Sequence, residues 1–208
     1  MPKIRLIAGL VLTAAVGAAQ AGVVYTFDSN AQGWTIEDGG TLSHQPSGGN
    51  GGGFLQVADS TAGELRFAAP ASALGDWSAL LGSSIGFDAL NIDGGAPDWA
   101  GFGTIRLISG ATVLTLDGVL GDEPPSDRAW HRYSVPLTTA LWGDGLVDVL
   151  ADLTGFTIQG EFHNGVSETV GFDNIRIGDI GTVPEPASTA LAGLALVAAG
   201  TVRRLRRR

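Results

Sequence analysis

Three groups of residues in this 208-residue chain could in principle carry catalytic chemistry, and the first is a serine segment. The stretch from Gly82 to Gly86 reads Gly-Ser-Ser-Ile-Gly and fits the G-x-S-x-G pattern of serine hydrolases. That pattern requires a strand before the serine and a helix after it. Here a strand-like run, "FDALNID", follows instead. We therefore interpret the segment as a turn that leads into a strand.

The other two groups are the histidines and the carboxylates. His44, His131 and His163 are scattered, without the paired spacing of a zinc site. The chain has no cysteine, which excludes thiol catalysis, zinc–thiolate sites and iron–sulfur clusters. The acidic residues show no pair that can be assigned to glycoside hydrolysis, which needs two carboxylates at a defined separation. The sequence therefore predicts a protein that is not an enzyme.

The elements that must position any site are short strands. Between abundant glycines lie runs of apolar or alternating residues, such as residues 155–162, where Phe156, Ile158 and Phe162 share one face. The segment 172–178 alternates as well, but both of its faces are partly apolar, so its orientation stays open. The clearest helical spacing is in residues 145–155, which we expect to form a short helix before a strand. Many short strands and few helices predict an all-β fold, a β-sandwich.

Both ends of the chain have the composition of targeting segments. Residues 1–21 combine Lys3 and Arg5 with an apolar run and a final Ala-Gln-Ala, which predicts a signal peptide and its signal peptidase. Residues 183–208 combine a Pro-Glu-Pro motif with an apolar run and an arginine-rich end. Residues 22–182 remain as one domain.

The charge of this domain excludes one class of partner. Residues 22–182 contain five arginines, no lysine and twenty acidic residues, for a formal charge of −15. Such a surface repels phosphate backbones, so we expect no nucleic-acid partner.

The order of the segments resembles the laminin B domain, also called laminin domain IV. The resemblance spans residues 27–178 and is most specific at "RAWHRYSVPLT" and at "VLADLTGFTIQGEFHNGVSETVGFDNIRIG". It implies a jelly-roll-like β-sandwich, similar to carbohydrate-binding modules, with an adhesive or structural role. The cysteine-rich flanks of the animal proteins are missing, so roles that depend on laminin architecture do not follow.

The C-terminal segment resembles the PEP-CTERM sorting signal of Gram-negative bacteria. The motif is Pro184, Glu185 and Pro186, and the resemblance implies recognition and cleavage by an exosortase in the inner membrane. The apolar run 187–202 would form about 24 Å of helix, against about 30 Å for a bilayer core. We therefore expect a C-terminal hydrophobic helix that anchors the protein transiently, before release to the envelope or outside. A permanent anchor is the alternative.

Two kinds of binding residue are candidates within the domain. In modules of the resembled type the first and last strands often lie together, where one structural calcium is often held. Asp28 follows the first predicted strand and Asp173 lies in the last, so this pair is the candidate calcium site, with calcium as the one expected cofactor. The alternative is that Asp28 starts a turn and Asp173 lies at a strand edge.

The tryptophans are the candidate glycan contacts. Trp34 and Trp130 lie in segments that resemble the core of the family. Trp99, Trp77 and Trp142 lie in predicted loops, where an exposed ring could stack on a sugar. The alternative for Trp99 is a ring that folds back over the sandwich.

These observations favour a non-enzymatic exported protein of the envelope or extracellular matrix, which binds glycan or mediates adhesion. Its expected partners are the exosortase and exopolysaccharide or matrix proteins. The alternatives are an exported hydrolase that acts on polysaccharide, and a passenger domain without a ligand. The sequence does not indicate an oligomeric state.

Overall fold

A computed structural model describes residues 22–38, 40–59, 63–116, 123–165 and 167–178. They lie within one compact unit, Gln20–Gly181. The predicted signal peptide, the C-terminal motif and both flanking helices lie outside the described residues. Within the described ranges, no helix is long and apolar enough to cross a membrane.

The described residues form eleven strands in two antiparallel sheets. In chain order the strands are β1 (Val23–Tyr25), β2 (Thr35–Glu37), β3 (Gly40–Gln45), β4 (Phe54–Asp59), β5 (Arg66–Ala68), β6 (Ser84–Asn91), β7 (Ile105–Ser109), β8 (Thr112–Leu116), β9 (His131–Pro136), β10 (Gly155–Gln159) and β11 (Thr169–Ile177). The six-stranded sheet has the order β3-β4-β11-β6-β9, with β1 paired to the end of β11. The five-stranded sheet has the order β2-β5-β10-β7-β8.

Helical structure is limited to short segments. The helices are α1 (Thr139–Trp142) and α2 (Leu146–Ala151), and two 3-10 turns cover Ala71–Ala73 and Ser78–Leu80. Helix α2 confirms the predicted helix, since Leu146, Val149 and Leu150 are buried on one face.

The core lies between the inner faces of the two sheets. On β10, Phe156 and Ile158 point into the core and are at most 1% exposed, which confirms the predicted period of two. Trp34 is also a core residue, as expected. Trp130 is not, since it is only half-buried and its indole donates to the backbone oxygen of Gly48. The predicted all-β sandwich is confirmed.

Strand β11 contains an irregularity that resolves its orientation. Its register with β6 shifts between Asp173 and Arg176, and Asn174 has a φ of 48°. A bulge of this kind inserts a residue and lets the strand change which side chains face inward. Phe172 and Ile175 are therefore both fully buried, although strict alternation would put them on opposite faces.

Candidate functional site

The outer face of the five-stranded sheet is polar, although its inner face is apolar. On β10, Gln159 alternates with the core residue Ile158, and Gln159 pairs with Arg66 on β5. On the other side of β10, Thr157 pairs with Arg106 on β7, and Arg106 pairs with Thr115 on β8. Directly paired residues of antiparallel strands point to the same face. The sheet thus presents a continuous row of hydrogen-bonding side chains.

A cavity of about 310 Å³ lies on this face, and we call it the cleft. The residues that line it are Glu64, Arg66, Trp99, Gly101, Thr104, Arg106, Thr115 and Gln159. Strands β5, β7, β8 and β10 supply most of its floor. Trp99 comes from the connection between β6 and β7 and is half-buried at the edge of the cleft.

Gly101 allows the indole of Trp99 to approach the floor of the cleft. A Cβ at this position would lie 2.5 Å from Nε1 of Trp99 and 3.0 Å from Nε2 of Gln159. Any larger residue would therefore displace the tryptophan, the glutamine or both. The absence of a side chain at residue 101 keeps an aromatic ring beside a hydrogen-bonding amide.

Several donors of this sheet face have no hydrogen-bond partner among the described residues. They are Nε1 of Trp99, Nε of Arg66 and the hydroxyl of Thr157, all of them buried atoms. A buried polar group without a partner costs about 1–3 kcal/mol, so native proteins rarely retain such groups without a reason. Nε1 of Trp99 and Nε of Arg66 are shielded from solvent, so a ligand in the cleft would reach these two atoms only if the side chains around them move.

The two other predicted glycan contacts are not available for stacking. Trp77 is 3% exposed, donates to the backbone oxygen of Ala73 and packs edge-on against Phe156. Trp142 is 7% exposed and donates to the backbone oxygen of Pro136. The prediction was wrong for both, because each ring lies in a loop or short helix that folds back over the sandwich.

The second polar site lies on the outer face of the six-stranded sheet, where three carboxylates meet the segment 46–53; we call it the aspartate cluster. Asp88 on β6 pairs directly with Asp173 on β11. Asp88 is fully buried and accepts hydrogen bonds from Arg132, Arg176, Asn50 and Asn174. Burial alone would raise the pKa of Asp88, but the hydrogen bonds from Arg176, Asn50 and Arg132, together with the charge of Arg176, lower it.

The charged form of Asp173 is stabilised by fewer hydrogen bonds than that of Asp88. It accepts two backbone N–H bonds, from Asn50 at 2.7 Å and from Asn174 at 2.6 Å. Burial, reinforced by the nearby charges of Asp88 and Asp28, raises the pKa of Asp173 to about 6. A neighbouring cation would relieve the repulsion that these three carboxylates exert on one another.

The glycines of segment 46–53 bring further oxygens to this cluster. A Cβ on Gly52 would collide with Oδ1 of Asp28, and a Cβ on Gly49 would lie 2.8 Å from Oδ2 of Asp173. A Cβ on Gly53 would lie 2.8 Å from the backbone oxygen of Gln45 and would collide with that of Phe27. Carboxylate and carbonyl oxygens are the ligands that calcium prefers.

The fit of these residues to a metal depends on backbone oxygens. Asp28 and Asp173, which the sequence singled out, both contact the glycine segment. The described residues contain no group of three or more histidine, cysteine, aspartate and glutamate side chains arranged to hold a metal ion. A calcium ion between Asp28 and Asp173 would therefore need carbonyl ligands as well.

A further buried carboxylate, Glu168, precedes β11. It is 1% exposed and accepts backbone N–H bonds from Phe162 and His163, which fix the turn between β10 and β11. Burial, with the charges of Glu161 and Asp59 nearby, raises the pKa of Glu168 to about 8. This carboxyl group is therefore largely protonated at neutral pH.

The serine segment has the structure that its sequence predicts. Ser84 is the first residue of β6, and Ser83 donates to the backbone oxygen of Leu80 within a turn. The ring of His131 hydrogen-bonds to the carboxylate of Asp127, an exposed residue four positions earlier in the chain. Ser84, the nucleophile position of the pattern, therefore lies at the start of a strand and not before a helix.

Comparison with known proteins identifies the C-terminal segment. Residues 182–208 match the PEP-CTERM protein-sorting motif. The chain carries a PEP-CTERM sorting signal. This confirms the resemblance that rested on Pro184, Glu185 and Pro186, and it indicates an exported protein that is sorted at the cell envelope. No curated protein matches the chain.

The described domain is similar to solved β-sandwich modules. One is the CBM22-1 xylan-binding domain of Xyn10C from Paenibacillus barcinonensis, at 16% identity and a TM-score of 0.54, covering 80% of this chain and 100% of that one. Another is the L4b domain of human laminin alpha-2, at 9% identity and a TM-score of 0.52, covering 76% and 98%. At these identities the similarity establishes the fold, and it confirms the expected laminin-like and carbohydrate-binding-module-like sandwich.

Sequence reasoning missed most of the residues that form the two sites. Arg66 and Gln159 were recognisable as polar positions of alternating strands, but only the strand order places them side by side. Asn50 lies in a glycine-rich segment, and nothing in the sequence indicates that it contacts Asp88 and Asp173. Contacts between residues 123 positions apart cannot be read from a local pattern.

Proposed function

We propose that this PEP-CTERM protein is a non-enzymatic envelope or matrix protein that binds glycan in the cleft. The observation that carries the proposal is the half-buried ring of Trp99 beside a polar sheet face with buried donors that lack partners. Sugar-binding sites need both features, since a pyranose has an apolar face and a rim of hydroxyl groups. The xylan-binding activity named for one structural neighbour supports this assignment by analogy of fold.

In this proposal the residues of the cleft contact different parts of the sugar. Trp99 stacks on the apolar face of one sugar ring, and the guanidinium of Arg66 lies beside that ring in the floor of the cleft. Gln159 and Thr115 accept from and donate to the neighbouring hydroxyls. In this proposal the cleft retains a polymer and does not cleave it.

We propose that the aspartate cluster has a structural role. A calcium ion held by Asp28 and Asp173, together with backbone oxygens of the glycine segment, would fasten residues 46–53 to the six-stranded sheet. Calcium supplies positive charge at that point, and the chain's own residues supply the oxygens. The aspartate cluster lies on the other sheet from the cleft, so the ion would support the fold and would not contact the glycan.

The route to the envelope follows from the two ends of the chain. Residues 1–21 direct export and are removed by signal peptidase. The C-terminal segment then holds the protein transiently in the inner membrane until an exosortase cleaves near Pro184, Glu185 and Pro186. The arginines at the end of the chain remain on the cytoplasmic side during this step.

The proposal is tested by retention on exopolysaccharide from the producing cells. We expect Trp99→Ala to weaken retention by about tenfold or more, as is typical when an aromatic contact residue is truncated. Trp99→Phe keeps a ring and should retain most of the binding. Thermal unfolding of each variant controls for loss of fold.

Two outcomes would contradict the proposal. If Trp99→Ala binds as well as the unchanged protein, the cleft is not the glycan site. If the protein releases reducing ends from the polymer, it is a hydrolase instead.

A further inference from the structure

The charge of the cleft differs from that of the rest of the domain. Two of the five arginines of residues 22–182, Arg66 and Arg106, line it, together with one carboxylate, that of Glu64. With Asp38, which pairs with Arg66, the cleft carries two positive and two negative charges, although the domain as a whole carries −15. An arginine that these carboxylates leave without an ion pair requires a specific explanation.

Arg106 is this arginine. Arg66 forms ion pairs with Asp38, at 2.8 Å, and with Glu64. Arg132 and Arg176 both pair with Asp88. No ion pair to Arg106 is found among the described residues.

The position of Arg106 suits a ligand better than a structural partner. It lies on a central strand of the sheet, half-buried, between Thr157 and Thr115 in the register of the neighbouring strands. Both neighbours are uncharged. A guanidinium is a planar fork of donors that matches a carboxylate with two parallel hydrogen bonds, and it does so less well with a single hydroxyl.

We propose that the cleft selects a glycan that carries carboxylate groups, and that Arg106 is the residue that forms ion pairs with them. This inference rests on the proposed glycan-binding function and adds the chemical class of the ligand. The carboxylate of an acidic sugar would pair with Arg106 while a neighbouring ring stacks on Trp99. The overall charge of −15 opposes a polyanion at long range, but at 0.15 M salt this repulsion is screened within about 8 Å, so contacts in the cleft decide the outcome.

The test compares one polymer in two chemical forms. The probe is exopolysaccharide from the producing cells, used as isolated and after chemical reduction of its carboxyl groups to alcohols. The full-length chain is measured on both forms at 0.15 M salt, together with Arg106→Gln and with Arg128→Gln. Arg128 is a matched control, because it is an exposed arginine outside the cleft that donates to the backbone oxygen of Asp93.

The proposal expects a specific pattern of retention. The unchanged chain and Arg128→Gln should bind the native polymer about tenfold to a hundredfold more tightly than the reduced one, the range expected for a charge-assisted pair. Arg106→Gln should lose that preference and bind both forms equally. Because Arg128→Gln removes the same charge, non-specific attraction by the C-terminal arginines would affect both variants alike.

The outcomes separate this inference from the proposed function. Equal binding of both polymers by the unchanged chain, still abolished by Trp99→Ala, would overturn the selectivity for carboxylates and leave glycan binding intact. A preference for the native polymer that Arg106→Gln retains would overturn the role of Arg106. Absence of binding to either form would overturn both proposals.

Discussion

Single residues of the two polar sites differ in how fully their hydrogen bonds are satisfied. The carboxylate of Asp88 accepts four side-chain hydrogen bonds and is therefore fully hydrogen-bonded. In the cleft, by contrast, Nε1 of Trp99 and Nε of Arg66 are buried without a partner among the described residues. A satisfied group stabilises the fold, whereas a buried polar group without a partner requires a specific explanation. This difference separates the aspartate cluster from the cleft.

Removal of the Asp88 carboxylate should destabilise the protein strongly. Asp88→Ala leaves the mostly buried Arg176 and the exposed Arg132 without their shared partner, so we expect a loss of about 1–3 kcal/mol in the free energy of unfolding. Denaturant titration measures this loss. Asp144→Ala removes an exposed acid and should change the stability by less than about 0.5 kcal/mol. Equal effects of the two substitutions would show that the hydrogen bonds of Asp88 contribute nothing.

Glu168 should make the stability depend on pH. Its pKa is about 8 in the folded protein and near the ordinary 4.5 when unfolded, so folding takes up a proton between these values. The stability should therefore be greatest below about pH 4.5 for this group and should fall as the pH rises to about 8. Glu168→Gln keeps an acceptor for the N–H groups of Phe162 and His163 but removes the titration.

The measurement for Glu168 is the difference in unfolding free energy between variant and unchanged protein at pH 5 and at pH 8. We expect Glu168→Gln to be more stable by about 1–3 kcal/mol at pH 8, with a smaller gain at pH 5. The exposed Glu37→Gln is the control and should show no such difference. A gain that is the same at both pH values would rule out titration of Glu168 as its cause.

Two elements position the aspartate cluster, and neither is a regular strand or helix. The bulge in β11 places Asp173 and Asn174 against the segment 46–53. The glycines of that segment allow it to approach Asp28 and Asp173 closely, where a Cβ would collide. The oxygen-lined pocket therefore forms only where the bulge of β11 and the segment 46–53 come together.

Calcium should stabilise the protein through these elements. At a concentration 100-fold above its Kd, binding would add about 2.7 kcal/mol, or about 5–10 °C in Tm for a domain of this size. Asp173→Asn should remove most of this gain, and Asp144→Asn should retain it. Because the pKa of Asp173 is about 6 without a metal, the gain should also weaken as the pH falls below 6. Equal stabilisation of Asp173→Asn by calcium would place the ion elsewhere.

At the scale of the whole molecule, the sequence predicts the sandwich better than it predicts the sites. Alternation along β10 and helical spacing along α2 depend on neighbouring residues, and both are confirmed. The cleft depends on strand order, which brings Arg66, Gln159 and Arg106 together from three separate segments. The burial of the loop tryptophans is the feature that is hardest to predict from the sequence. Trp99 borders the cleft, whereas Trp77 and Trp142 are buried, and the local sequences of the three residues do not distinguish them.

The sorting signal and the sandwich occupy separate parts of the chain. The PEP-CTERM signal occupies residues 182–208, and the described sandwich lies within Gln20–Gly181. The sorting signal and the cleft therefore use different residues. Exosortase processing would leave the residues of the cleft unchanged, so the exported protein could bind glycan after its tail is removed.

Glycan binding in the cleft is tested most directly by the indole N–H resonances of the protein in solution. Nε1 of Trp99 has no partner among the described residues, whereas those of Trp77 and Trp142 donate to the backbone oxygens of Ala73 and Pro136. Titration with oligosaccharides from the producing cells' exopolysaccharide should shift the Trp99 resonance and leave those of Trp77 and Trp142 in place. A titration that leaves the Trp99 resonance unchanged would contradict binding in the cleft.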